Sequence, residues 1–404
     1  MAEAPWLTII GLGEDGLSGL SKASQEVLKS AAIVTGAARH LDLLPNLTAE
    51  TRVWPIPFAD GIEPLLALRG RSVVILASGD AFWFGAGSVL ARHLERTEWQ
   101  ALPAPSVASH AAAHLGWLLE KTPVFGLHAA PLQRLRPALY AGARHLVLLR
   151  DDEAVTKLAA YMTDLGFGAS QLWVMEAMGG PRERVRCTTA DGLDFADIQH
   201  PVCAALIVNG SGSPLPVSSG LSDDVFDHDG QITKRPIRAI TLSTLAPRPG
   251  EHLWDIGAGS GAIGIEWMLG HPANRTTAIE HNSERAARIR YNANTLGADR
   301  LQLFEGTALE FLRRRPAKEP PDAVFIGGGL SEALLQSLWQ HLPAGTRVVA
   351  NSVTLETDTL LSKWHAKTGG SLIRIEVSNA TPLGTKHSWK ASYPVSQWSA
   401  VKCR

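Results

Sequence analysis

The sequence predicts two α/β domains in tandem, the second a Rossmann-like open sheet built around a glycine-rich turn. Three observations carry this. Apolar, strand-like runs alternate with helix-like runs along both halves, the pattern of mostly parallel sheets covered by helices. Residues 209–224, NGSGSPLPVSSGLSDD, are rich in Gly, Ser and Pro and have no apolar period, which marks a linker. Residues 253–261, LWDIGAGSG, end an apolar strand in Asp255 and continue with Gly257, Gly259 and Gly261. The expected boundaries are a first domain over 1–210, a linker over 211–224 and a second domain over 225–404.

The length of 404 residues suits two to three domains, and 45% hydrophobic with 19% charged residues supplies a substantial core. A net charge of −1 argues against a general nucleic-acid binder, which needs a basic face. The three cysteines, Cys187, Cys203 and Cys403, form no zinc spacing or disulfide framework, so a reduced, cytoplasmic setting and no metal are expected. No signal peptide and no run of about 20 apolar residues is seen.

In the first half, strands are expected at Trp6–Ile10, Ser72–Ala77, His145–Leu149, Gln171–Ala177 and Pro201–Val208. Helices are expected at Ser18–Ser30, Ser88–Arg96 and Glu153–Leu165. Gly11-Leu12-Gly13-Glu14-Asp15-Gly16 matches the dinucleotide pattern G-x-G-x-x-G. Glu14 and Asp15 would oppose a pyrophosphate, and residues 31–36, AAIVTG, hold no ribose-binding acid. The loop LASGDAFWFG over 76–85 ends a buried strand in a small polar turn and exposes aromatics. PSVAS over 105–109 precedes an Ala-rich helix, and WVMEAMGG over 173–180 closes another strand. Singly, each is as consistent with packing as with a site.

In the second half, a helix over Arg235–Leu245 precedes strand His252–Ile256. Helix Ala262–Leu269, strand Thr276–Glu280, helix Ser283–Leu296, strands Leu301–Phe304 and Ala323–Ile326, helix Ser331–His341 and strand Arg347–Asn351 follow. Leu372–Val377 and Trp389–Val395 are expected to add an antiparallel edge.

Ligands of open α/β sheets sit at the carboxyl ends of the strands. Alternate glycines let the backbone turn tightly and a ligand lie against it. Asp255, two residues before Gly257, would repel a pyrophosphate but suits the ammonium and sulfonium of S-adenosylmethionine (AdoMet). The candidate cofactor loop is therefore Asp255, Gly257, Ala258, Gly259, Ser260 and Gly261. Glu280, at the next strand end, is placed to accept ribose hydroxyls; a solvated strand-end carboxylate is the plainer alternative. Thr307 and Ala308 follow the third strand, where adenine would lie through main chain or hydroxyl. Gly327, Gly328 and Gly329 leave room for the methyl group and its acceptor. Upstream, in DGQITKRPIR over 229–238, Thr233 is placed at the cofactor and at the helix cap, with Pro236 in the first turn. Lys234, Arg235 and Arg238 form either a solvated helix face or a clamp for substrate carboxylates.

Taken together, GLGEDG, LASGDAFWFG and PSVASHAAAHLGW resemble the signature loops of the tetrapyrrole methylases of the corrin pathway, on the C5-methyltransferase side. DGQITKRPIRA, LWDIGAGSGAIGIEW and FIGGGL resemble the C15-methyltransferase and decarboxylase. The resemblance implies a two-lobed class III methyltransferase fold for the first domain and a class I AdoMet methyltransferase fold for the second. It implies AdoMet near Gly79, Asp80 and Ala81 and along 175–180, with Gly11 and Gly13 facing substrate. It also implies a precorrin macrocycle carrying acetate and propionate arms, methylated at C5 and C15 and decarboxylated at the ring C acetate. The macrocycle itself can serve as the electron sink, so the enzyme mainly positions donor and acceptor. No general acid or base is identified; His281, His387, Asp229 and Glu356 are candidates by type. The expected partners are this substrate and further copies of the chain in a homo-oligomer, without nucleic acid or membrane. The rivals are a nucleic-acid or protein methyltransferase using the second domain, an NAD-dependent reductase, and a non-catalytic tetrapyrrole-binding protein.

Overall fold

The computed structural model describes residues 5–314 and 319–403. Contacts divide the chain into two compact units, Met1–Ala130 with Tyr140–Ser213, and Pro131–Leu139 with Pro214–Arg404. One change of unit falls inside the 211–224 segment, while residues 131–139, expected in the first domain, group with the second unit. The 211–224 segment is built in at both ends. Gly212 donates to the Gly166 carbonyl in the first unit, while Leu221 is buried in the core of the second, with Leu215 packed against it. Within the second unit, Arg134 holds Asp299 through two parallel N–H···O bonds of 2.8 Å.

The first unit contains β1 (Leu7–Leu12), α1 (Lys22–Ser30), β2 (Ile33–Gly36), α2 (Ala38–Asp42), β3 (Glu50–Val53), α3 (Ile62–Leu66), β4 (Val73–Ser78), α4 (Ala86–Leu90) and β5 (Trp99–Leu102). It continues with α5 (Val107–Leu115), β6 (Val124–Gly126), β7 (Arg144–Leu148), α6 (Asp152–Asp164), β8 (Gln171–Glu176), β9 (Arg184–Thr189) and β10 (Val202–Ile207). The first five strands form a parallel sheet, β3-β2-β4-β1-β5; the others form β6-β7-β10-β8-β9, antiparallel except for β6 with β7. β1 is buried at all six positions, as a strand covered on both faces must be. α1 starts at Lys22, capped by Ser21, rather than at Ser18, because residues 16–19 form a separate turn of 3₁₀ helix. α4 is five residues long, not the nine expected, and lies earlier.

The second unit contains α7 (Arg235–Leu245), β11 (His252–Ile256), α8 (Ala262–Leu269), β12 (Arg275–Glu280), α9 (Ser283–Thr295), β13 (Gln302–Glu305), α10 (Ala308–Arg314) and β14 (Ala323–Ile326). After these come α11 (Glu332–His341), β15 (Arg347–Ser352), α12 (Leu355–Thr368), β16 (Ser371–Ile375), β17 (Ser378–Leu383), β18 (Lys386–Ala391) and β19 (Val395–Val401). The sheet order is β13-β12-β11-β14-β15-β19-β16, with β17 and β18 forming a separate hairpin. The strands from β13 to β15 are parallel, and β19 is antiparallel to both its neighbours. The antiparallel edge exists, but its last strand is Val395–Val401 rather than Trp389–Val395; Trp389 belongs to the hairpin. Two apolar layers cover the two faces. Leu253, Ile265, Trp267 and Phe325 lie in one, and Trp254, Ile326, Leu338 and Trp398 in the other. Adjacent strand residues such as Leu253 and Trp254 therefore point to opposite cores.

Candidate active site

A cavity of 510 Å³ opens at the carboxyl edge of the second sheet, lined by residues 256–260, Glu280, His281, 306–309, 327–329 and the strap 231–233. The loop between β11 and α8 explains its alternate glycines directly. Gly257, Gly259 and Gly261 have φ of 66°, 60° and 77°, a region that favours glycine. A Cβ on Gly257 would stand 2.6 Å from the Gly328 nitrogen, whereas one on Gly259 would meet only the Gln231 carbonyl, at 3.3 Å. Gly257 therefore keeps two loops in contact, and Gly259 leaves an open cradle, as does Gly329, which has nothing within 4 Å.

Asp255 departs from expectation. It is 1% exposed and lies beneath the loop instead of facing the cavity. One carboxylate oxygen accepts from the Gly264 amide at 2.9 Å. Gly261, at the N-cap of α8, has no side chain for that task, so the preceding strand supplies the cap. The other oxygen, Oδ1, is buried with no hydrogen-bond partner among the described residues. Burial pushes the Asp255 carboxyl up to about 7; the Gly264 amide pulls it down and the Glu280 carboxylate raises it further. A folded value above the unfolded one gives stability that is full below about pH 4 and is lost as pH rises through about 7. Asp255→Asn keeps an acceptor but does not titrate. Its denaturation midpoint is therefore expected to fall less than the parent's between pH 4 and 8, as urea unfolding at the two pH values will measure.

Glu280 does line the cavity. It is 3% exposed and accepts from the amides of Gly259, at 2.9 Å, and Asn282, at 3.0 Å. Each carboxylate oxygen retains further acceptor capacity. Of the acid–base candidates, His281 lines the cavity, 3.3 Å from Glu280. Asp229 is paired with Arg285 and Arg288. His387 lies on the hairpin, and Glu356 is exposed in α12.

Thr307 and Ala308 line the cavity, but the Thr307 hydroxyl is engaged by Glu310, which also accepts from the Thr307 amide at 2.9 Å. This is a capping box for α10, so a ligand there meets main chain rather than the hydroxyl. Thr233 also lines the cavity. The residue at the N-cap of α7 is Lys234, without a side-chain cap; Asp223 accepts from the Arg235 amide instead.

Of the three cations, Lys234 and Arg235 are exposed. Arg238 is 0% exposed and is removed from the clamp. Its guanidinium pairs with Glu266 at 2.5 Å and Asp223 at 2.9 Å, donates to the Thr233 and Leu221 carbonyls, and lies 5.0 Å from the Phe226 ring centroid. Glu266 also accepts from the Gly220 and Leu221 amides. The buried pair therefore staples the incoming chain and the strap to α8. Asp223 and Glu266 were missed from sequence.

In the first unit, the loops after β1, β4, β5 and β8 converge. The Gly79 amide donates to Leu12, and its carbonyl accepts from Ala104. Gly11 is buried, and a Cβ on it would lie 1.9 Å from the Gly79 oxygen. It is a packing glycine with no room for substrate, a correction; Gly13 is half-buried. Gly79 has φ 52°, with Pro105 and Ser106 against it. Asp80 accepts from the Phe82 amide at 2.8 Å. Ala81 is buried in the core, leaving only its main chain for a ligand. Glu14 is paired with Arg39 and Arg182, so the charge that opposes a pyrophosphate here is the Asp15 carboxylate, which also fills the turn, 2.6 Å from a Cβ placed on Gly13.

Comparison with known protein families gives one match in each half of the chain. Residues 6–194 match the family described as tetrapyrrole (corrin/porphyrin) methylases, and residues 224–402 match the precorrin methyltransferase domain. The chain is 46% identical to a precorrin-6Y C(5,15)-methyltransferase (decarboxylating) of Sinorhizobium, over 99% of this chain and 97% of the relative. It is 35% identical to the protein of that name in Mycobacterium tuberculosis, over 98% and 100%. A Salmonella typhimurium cobalt-precorrin-6B C(15)-methyltransferase (decarboxylating) is 31% identical over 43% of this chain and 92% of its own length. The crystal structure of the C-terminal domain of the Rhodobacter capsulatus precorrin-6Y C5,15-methyltransferase is 48% identical. It covers 46% of this chain and 100% of that chain, with a TM-score of 0.44. Among the described residues, no helix is long and apolar enough to cross a membrane.

Proposed function

The chain belongs to the precorrin-6Y C(5,15)-methyltransferase (decarboxylating) family, and on that premise we propose how its residues divide the work. The activity is methylation of C5 and C15 with decarboxylation of precorrin-6Y in cobalamin biosynthesis, and AdoMet is the cosubstrate. We assign C5 methylation to residues 1–210 and C15 methylation with decarboxylation to residues 225–404. The glycine-walled cavity of the second unit, with Glu280 at its edge, carries this reading.

Bound AdoMet supplies an electrophilic methyl group. Around it, the Glu280 carboxylate is held by the Gly259 and Asn282 amides with lone pairs left for ribose hydroxyls. The main chain of 257–261 backs the amino-acid end, with Asp255 acting through the loop it supports. The main chain of Thr307 and Ala308 backs the adenine, and the strap through Thr233 limits access of water. Gly327–Gly329 leave space for the acceptor carbon, and the exposed Lys234 and Arg235 grip substrate carboxylates. Such a site works by holding donor and acceptor in attack geometry. In the first unit, the main chain around Gly79, Asp80 and Ala81 backs the second AdoMet. Free cysteines, two exposed and one buried, suit a cytoplasmic setting, and we expect a homo-oligomer.

Incubation of the chain with precorrin-6Y and labelled AdoMet, followed by mass analysis, tests the activity. Gain of two methyl groups and loss of one carbon dioxide is expected; an unchanged macrocycle refutes it. Glu280→Ala is expected to weaken AdoMet binding in the second unit by about 1.5–3 kcal/mol, the range for a hydrogen bond to a charged group. Calorimetry showing two unchanged sites would return Glu280 to a purely structural role.

A further inference from the structure

We propose that Asn351 is the substrate-facing amide of the C15 centre, a neutral hydrogen-bond donor that holds the acetate arm to be decarboxylated; this rests on the assignment of C15 chemistry to the second unit. Register sets its place. Ile326 of β14 pairs with Ala350 of β15, so Gly327 and Asn351 are the next residues on the two chains, about 4.8 Å apart at the carboxyl edge. Asn351 follows Val349 by two positions and so shares its face of the sheet. Ile232 of the strap, Leu242 of α7 and Ile263 of α8 belong with Val349 to the core on that face. Asn351 thus stands beside the glycines that leave room for the acceptor, on the side of the strap.

Two buried residues hold its side chain. Asn351 Nδ2 donates to the Thr241 hydroxyl at 2.9 Å, and Asn351 Oδ1 accepts from Gln397 Nε2 at 2.9 Å. Thr241 is 0% and Gln397 1% exposed. Thr241 gives its own proton to the Ile237 carbonyl and accepts a second bond from Gln397. The hydroxyl therefore only accepts from Asn351, which fixes the amide in one orientation. Asn351 itself is half-buried, and it keeps one N–H and one lone pair for a ligand.

Charge decides which arm it takes. Lys234 and Arg235 open α7, about 9 Å along the helix from Thr241, and suit arms that stay on the ring. The arm that leaves is different. Its CH2–carboxylate bond breaks, carbon dioxide departs and the electron pair enters the conjugated ring. C15 gives a pair to the AdoMet methyl, and the carbon–sulfur pair stays on sulfur. The proton lost from C15 is matched by one gained at the arm carbon, so the carboxylate and sulfonium charges cancel. A cation on this carboxylate would stabilise the ground state and lose its partner in the transition state. A neutral amide orients the arm with less of that penalty. Among the described residues lining the cavity, the ionisable ones are Glu280, His281 and Arg285, and none belongs to the glycine wall at 327–329.

The test uses the full chain, with precorrin-6Y and AdoMet varied separately and carbon dioxide release and product mass as readouts. Asn351→Ala is expected to lower kcat/KM for carbon dioxide release about ten- to a hundred-fold, the loss of one hydrogen bond to a charged group. AdoMet affinity should not change, since Asn351 does not line the cofactor cavity. Asn351→Lys should leave KM for the macrocycle no higher than the parent's yet lower kcat for release, because its cation favours the bound carboxylate. Unchanged kinetics in Asn351→Ala overturn the proposal. So does a loss of release matched by a loss of AdoMet binding, which makes Asn351 a structural staple, and so does Asn351→Lys with a kcat at or above the parent's. Carbon dioxide release that persists in Gly257→Arg places the C15 centre outside this cavity and removes the functional reading together with the proposal.

Discussion

Replacing Gly257 with arginine is expected to abolish AdoMet binding in the second unit and carbon dioxide release with it. Two independent causes act together. The residue sits at φ 66°, where a side chain is strained by about 1–2 kcal/mol. Its Cβ would also stand 2.6 Å from the Gly328 nitrogen and 2.7 Å from the Gly328 Cα. The obstacle is backbone, which cannot rotate away, so the loops from β11 and β14 must separate. Both loops line the cavity, between whose walls we propose that donor and acceptor meet. Titration of AdoMet into the variant should reveal one site, where two are expected of the parent chain. Retention of both would show that the loop is not a cofactor wall.

The second large effect is on stability. Arg238→Met is expected to destabilise the chain by about 3–5 kcal/mol, because it leaves Glu266 buried without its cation. The Gly220 and Leu221 amides donate to different oxygens of Glu266, so a neutral glutamine keeps one of these two bonds through its single oxygen and removes the buried charge. Arg238→Met combined with Glu266→Gln should therefore lose less than Arg238→Met alone. The Thr233 carbonyl is freed in both variants, and AdoMet affinity in the second unit should fall in both. Denaturant midpoints and calorimetry on the two variants separate the effects. Equal losses in single and double variants would mean that the buried charge is not the cause.

The second unit was largely legible from sequence, and its core elements show why. Ala262–Leu269 lies between Gly261 and Gly270 and is apolar but for Glu266, and Ala323–Ile326 is apolar throughout and ends at Gly327, so pattern and boundary nearly coincide. Glu280 could be placed because a carboxylate ending the strand after a glycine turn has few other tasks. Arg238 was misjudged by residue type, although the periodicity held the answer. Arg238, Thr241, Leu242 and Leu245 recur at i, i+3, i+4 and i+7, the buried stripe of an amphipathic helix, and all four are buried. Thr307-x-x-Glu310 was likewise a readable capping box. The role of Asp255 was not readable, since nothing in a linear string says that a strand carboxylate will turn under its own loop to cap α8. In the first unit, β3 has four exposed residues and β5 four half-buried ones, so neither carries an apolar signal. Gly11 looked like a ligand turn because packing of two backbones and approach of a ligand both call for glycine.

The central claim is that each unit holds one methyl-transfer centre. Product mass and carbon dioxide release from Gly257→Arg, measured beside Gly79→Arg, test it most directly. Gly79 is the matching position in the first unit, at φ 52° with the Pro105 carbonyl 2.9 Å from a Cβ. The account predicts a singly methylated product that keeps its carboxyl group from Gly257→Arg, and a decarboxylated, singly methylated product from Gly79→Arg. Carbon dioxide release by Gly257→Arg, or both methylations by Gly79→Arg, would contradict it.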